Sequence, residues 1–95
     1  MPVTVKVPLG FLSATGGRQH VDADGRTVGE VLDSLVAAFP DLAGKIRETA
    51  PDGERPLRRG VRVFVGALDI RRAEGLATAV RDGDRVAVVA AISGG

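Results

Sequence analysis

Residues Thr27 to Pro40 limit most narrowly what this chain can become. Thr27-Val28-Gly29-Glu30 is a T-x-x-E capping box, in which the threonine hydroxyl satisfies an early helix amide and the glutamate reaches back. Val28, Val31, Leu32, Leu35, Val36 and Phe39 then recur at helical spacing, and Pro40 marks the stop. The spacing predicts one amphipathic helix with a single apolar stripe. Such a stripe must be covered by another layer, and the flanking sequence supplies a sheet.

Upstream, Val3, Val5 and Val7 alternate with Thr4 and Lys6 ahead of Pro8, the period-two pattern of a strand with one face inward. Gly16-Gly17 offers a permissive turn, and Arg18 to Val21 is expected to return as a second strand after the longer connection Phe11 to Thr15. Downstream of the helix, Leu42 and Ile46 lie four apart, so Asp41 to Glu48 is expected as a short second helix. Segment 49–60 is polar and turn-rich and reads as an exposed loop. Val61, Val63 and Val65 alternate with Arg62 and Phe64 before Gly66, a third strand. Asp69-Ile70-Arg71 is expected as a short edge strand and Leu76 to Val80 as a turn or helical segment. Asp82-Gly83-Asp84 supplies turn chemistry before a last strand, Arg85 to Ile92. The run Val86 to Ile92 is almost continuously apolar, which predicts a central strand beside the first, paired in parallel and buried on both faces. The order of elements implies an α+β roll with a mixed four- to five-stranded sheet packed on one main helix, the β-grasp or ubiquitin-like arrangement.

Several function classes fall away on composition. A chain of 95 residues with 44% hydrophobic content makes one soluble domain. Val86 to Ile92 is too short to cross a bilayer and the N-terminus has no signal-like apolar core, so the expected location is the cytoplasm. With no cysteine there is no thiol nucleophile or zinc-thiolate site. A net charge of +1, no tryptophan and no tyrosine argue against nucleic acid. Arg55, Arg58, Arg59 and Arg62 form a basic cluster, either a solvated face or a surface that docks on an acidic partner. His20 is the sole histidine and has no companion ligand at a recognisable spacing, so no metal is expected. Asp82 and Asp84 read as turn residues, not an acid–base pair. No phosphate-binding glycine loop of the G-x-x-x-x-G-K-[ST] kind occurs, so no cofactor is expected on this chain.

The chain closes on Ser93-Gly94-Gly95. Two glycines make a thin, permissive peptide able to thread a narrow cleft, but taken alone they read first as an incidental frayed end. Val63-Phe64-Val65, Asp69-Ile70-Arg71, Gly75-Leu76-Ala77-Thr78, Asp82-Gly83-Asp84-Arg85-Val86 and Gly94-Gly95 together resemble the MoaD/ThiS family of small sulfur carriers. Thr15-Gly16-Gly17, the inserted loop and Gly75 to Ala79 look closest to its CysO-type, cysteine-biosynthesis branch. The resemblance spans nearly the whole chain and is most specific over residues 61–95. Two departures stand out: Gly66-Ala67 where relatives often carry asparagine-glycine, and Ala90 where they often carry proline.

The resemblance implies a β-grasp domain over residues 1–92 and a flexible tail over 93–95. It implies that Gly95 is the adenylation and thiocarboxylate site, with Gly94, Ser93 and Ile92 recognised by partners; within the basic cluster, Arg58, Arg59 and Arg62 are the candidate docking surface. Implied partners are an E1-like adenylating and sulfurtransferase enzyme that uses ATP, a PLP-dependent cysteine synthase as sulfur acceptor, and a zinc-dependent peptidase. The free chain would be a monomer and a cosubstrate, not an enzyme. Alternatives within the same resemblance are the small subunit of molybdopterin synthase, a sulfur donor for thiamine or a specialised sulfur-containing metabolite, and a ubiquitin-like protein modifier.

Overall fold

The computed structural model describes residues 2–48, 51–52 and 56–90. Val3, Val5 and Val7 are each no more than 1% exposed, so the valine alternation becomes β1 (Val3–Lys6) with one face turned inward. β1 pairs antiparallel with β2 (His20–Ala23), Val3 opposite Ala23 and Lys6 opposite His20. On its other side β1 runs parallel to β5 (Arg85–Ala90), with Val5 opposite Val86. β5 in turn pairs antiparallel with β3 (Val61–Val65), which folds back through Gly66 onto β4 (Leu68–Asp69). The sheet is therefore mixed and five-stranded in the order β2-β1-β5-β3-β4. The last strand takes the centre beside the first, as its apolar sequence predicts.

The helix α1 (Val28–Ala38) forms where its stripe and cap place it. Thr27 Oγ1 accepts from the Glu30 amide at 3.2 Å, and Glu30 Oε1 accepts from the Arg26 amide at 3.0 Å, one residue upstream of the usual reciprocal partner. Val28, Val31, Leu32 and Leu35 are fully buried against the sheet's inner face, each contributing about 1.5–3 kcal/mol of apolar transfer. The start of α1 is tied to the far end of the chain: Val28 N donates to Thr78 O at 3.0 Å and Val80 N to Arg26 O at 2.9 Å. Gly25 lets the chain pass into α1, since a Cβ there would lie 2.6 Å from Val31 N.

Tertiary contacts override several local signals. β2 begins at His20, not Arg18, because pairing Val3 with Ala23 turns Val21 and Ala23 into the core. The connection before it contains a 3₁₀ helix, Leu9–Thr15, closed by Gly16 at φ 66. Asp41 to Glu48 is not a helix. A 3₁₀ turn, Pro40–Leu42, gives way at Gly44 (φ 79), and Arg58 captures the following carbonyls, its amide donating to Ile46 O at 2.7 Å and Nη1 to Gly44 O at 2.8 Å. Leu42 and Ile46 still reach the core. The loop after them is partly zipped, with Arg47 bridging Leu57 and Glu48 N donating to Pro56 O at 2.9 Å, while residues 49–50 and 53–55 lie outside the described residues. The edge strand is Leu68–Asp69 instead of Asp69-Ile70-Arg71, because Ile70 turns inward, 1% exposed, within a 3₁₀ turn, Ile70–Arg72. The segment after it makes another 3₁₀ turn, Gly75–Ala77.

β5 departs from expectation in one further respect. Val86 and Val88 are buried, but Val89 is 45% exposed and Ala87 only half-buried. The α-helical layer covers one face of the sheet, so the central strand is buried on one side, not both. Ala91 and Ile92, assigned to this strand from sequence, lie outside the described residues.

Candidate functional site

The root of the C-terminal segment is fixed by β-pairing. Ala90, the last residue of β5, sits opposite Val61, the first of β3. Immediately before β3, the Arg58–Val61 turn is closed by Val61 N donating to Arg58 O at 2.9 Å, with Gly60 at φ 87, a geometry that favours glycine. The two arginines of this turn therefore flank the point where β5 ends. Together with Phe11, Lys45, Gly60, Val61 and Ala90 they line a depression of about 290 Å³. Lys45 Nζ stands 6.0 Å from the centroid of the Phe11 ring.

A second surface lies on the face of the sheet opposite α1. Thr4, Lys6, His20, Gly66, Arg85, Val86 and Ala87 line a depression of about 460 Å³ across β2, β1 and β5. Toward β3 the same face continues through Phe64 opposite Ala87 and Arg62 opposite Val89. The open face thus carries an apolar strip, Phe64, Ala87 and Val89, between basic side chains. At its β4 edge, Arg71 holds the Asp69 carboxyl below its ordinary value of 3.8, first through side-chain hydrogen bonds and then through its main-chain amide, with Arg62 adding a smaller coulombic contribution.

The structure divides the residues singled out in the sequence. Arg58 and Arg59 share the turn beside Ala90, whereas Arg62 is on β3's open face, so the three flank two surfaces. Arg55, Ile92, Ser93, Gly94 and Gly95 lie outside the described residues. His20 is an exposed edge-strand residue, and no group of three metal-ligating side chains occurs among the described residues. Asp84 closes its turn by accepting from Arg81 N at 2.9 Å, with Gly83 at φ 87, as turn chemistry requires. Sequence reasoning missed Phe11 and Lys45, which reach the tail root only through the tertiary fold. It also missed Val89 as a surface residue: alternation puts it on the face opposite Val86 and Val88, but the apolar sequence does not say that this face is open. Among the described residues no helix is long and apolar enough to cross a membrane.

A profile of the ThiS family matches residues 9–95, through to the terminal glycine. The chain belongs to that family. This ThiS-family chain is 37% identical over 95 residues to the sulfur carrier protein CysO of Mycobacterium tuberculosis, covering 100% of both sequences. It is similar to a chain of the BexX/CysO complex from Amycolatopsis orientalis, with a TM-score of 0.86 and 32% identity over 98% of this chain and 99% of that one. Small archaeal modifier protein 1 from Methanosarcina acetivorans follows with a TM-score of 0.85 and 28% identity, over 98% and 95% of the two chains. The β-grasp fold and the CysO-like character read from the sequence are thereby established for this ThiS-family chain.

Proposed function

We propose that this chain is a sulfur carrier that works through the carboxylate of Gly95. The observation that carries the reading is the end-to-end match to a sulfur carrier, with the family profile running through Gly94-Gly95. A free carboxylate is a poor acyl electrophile. An E1-like partner transfers AMP from ATP to it, releasing pyrophosphate, and a sulfur donor then displaces AMP to leave a thiocarboxylate. That sulfur is a soft nucleophile, which a chain without cysteine could not otherwise present. Gly94 gives reach and steric access, Ser93 and Ile92 are recognised along the partner's channel, and the catalytic groups belong to the partners. The open sheet face, with Phe64, Ala87 and Val89 exposed or half-buried, supplies apolar area for docking, and Arg62 stands beside it.

Cysteine synthesis is the first choice of pathway, supported by the CysO relationship. The thiocarboxylate sulfur would take the place of the leaving group on an activated serine derivative held by a PLP-dependent synthase, the resulting thioester would pass to the amine as an amide, and a zinc-dependent peptidase would hydrolyse that amide to release cysteine and regenerate the Gly95 carboxylate. The test is incubation with an E1-like enzyme, ATP and a sulfur source, followed by the synthase and its serine substrate. Intact mass should rise by replacement of one oxygen with sulfur, then rise again as the aminoacyl adduct forms. Sulfur loading without the second step rejects the cysteine pathway and keeps the carrier.

A modifier role is the second reading, favoured by the likeness to small archaeal modifier proteins. It requires isopeptide bonds to target lysines, each of which would carry the tryptic remnant Val86 to Gly95 because no basic residue follows Arg85.

A further inference from the structure

We propose that Lys45, Arg58 and Arg59 form a second docking site, separate from the open sheet face, which receives a carboxylate-bearing loop of the enzyme that takes the tail. The proposal rests on the carrier reading only for the existence of such an enzyme.

The register of the sheet places the site. Val61 is paired with Ala90, so the Arg58–Val61 turn is held against the residue from which 91–95 continue. A protein that admits those residues must approach Arg58 and Arg59. The cations are also prepositioned. Arg58 is anchored through its main-chain amide to Ile46 O and through Nη1 to Gly44 O, which leaves most of its five donors for a partner. Arg59 is exposed and makes no ion pair with the described residues, and Lys45 is exposed beside Phe11. Charge decides the kind of partner. No carboxylate among the described residues lines this depression, and Asp41, which shares a neighbouring one with Lys45, offsets at most one of the three cations. Arg58 N and Val61 N are already bonded within the chain, so recognition falls mainly to the side-chain cations, and inorganic phosphate is an arm of the test. A site of this kind acts chiefly on encounter rate and orientation.

The test is titration of the ¹⁵N-labelled full chain with a hexaglutamate peptide at low salt. Saturable amide shifts confined to Lys45, Arg58, Arg59, Gly60 and Ala90 are expected, and their loss in Arg59→Glu, an exposed side chain whose replacement leaves the core intact. Equal shifts at distant exposed arginines such as Arg72 and Arg81, or none at the turn, overturn the proposal. Inorganic phosphate saturating the same amides as tightly also overturns it. So does a shift of these amides when Gly94-Gly95 is removed without peptide, which would give the site to the chain's own C-terminus. With the activating enzyme, Arg59→Glu should raise the carrier concentration for half-maximal sulfur loading by about five- to tenfold and leave the saturating rate unchanged. Failure of the unaltered chain to load sulfur would sink the carrier reading while the titration result stood, so the two failures are distinguishable.

Discussion

Val88 and Val89 are adjacent in β5 yet face opposite ways, 3% and 45% exposed. Truncating each to alanine removes the same two methyl groups from different surroundings. At Val88 the lost transfer free energy is about 1.6 kcal/mol at ~0.8 kcal/mol per group. A residual cavity of ~40 Å³ costs about 1 kcal/mol more at ~24 cal/mol per Å³. Val88→Ala should therefore destabilise by about 2.5 kcal/mol, lowering the melting temperature by roughly 10–20 °C in a domain of this size. At Val89 no cavity forms and half the area is already wet, so Val89→Ala should cost less than about 1 kcal/mol, including its lower strand propensity. Urea denaturation followed by circular dichroism, with equal m-values, measures both. Equal losses would refute the reasoning, because they would mean that the sheet's second face is covered in the free chain. Val89→Asp should fold and lose association with tail-accepting enzymes.

Gly25→Ala should destabilise by about 1–3 kcal/mol, because its Cβ would meet the α1 backbone at 2.6 Å from Val31 N; unchanged thermal stability would contradict that contact. Asp69 should titrate below 3.8, and Arg71→Ala should move its midpoint up toward that value in a carboxyl NMR titration. Since the folded pKa is depressed, the stability this pair contributes is complete above the unfolded value and is lost as pH falls below 3.8 through the folded value; a midpoint unmoved by Arg71→Ala would dismiss the pairing. Deleting Gly95 should abolish sulfur loading and leave the circular dichroism spectrum unchanged, whereas a collapsed spectrum would show that the terminus is part of the fold.

What was legible in the sequence was what local chemistry determines. The capping box and stripe of α1, the valine alternation of β1 and β3, and the Asp82-Gly83-Asp84 turn each carry their instruction within a few residues, and each forms as read. The failures lie where a distant residue decides. Arg58 takes the carbonyls of Gly44 and Ile46, so a helical spacing of Leu42 and Ile46 becomes a turn. Pairing to β1 sets where β2 begins, and the need to bury Ile70 shifts the edge strand. An apolar run fits two buried faces or one, and only the single helical layer reveals that Val89 looks outward. The candidate site divides likewise. The two glycines at the terminus are plain in the sequence, but the depression beside the tail root is assembled from Phe11, Lys45, the 58–61 turn and Ala90, which no spacing rule connects.

The central claim is that the Gly95 carboxylate is the atom group that partners use. It is tested most directly by tryptic mass spectrometry of the chain after reaction with an E1-like enzyme, ATP and a sulfur source. Cleavage after Arg85 isolates Val86 to Gly95, and this peptide alone should gain the mass of sulfur in place of one oxygen, with the fragment ions placing the gain on Gly95. An unaltered peptide with enzymes that load other ThiS-family chains, or a gain on any other peptide, would contradict the account.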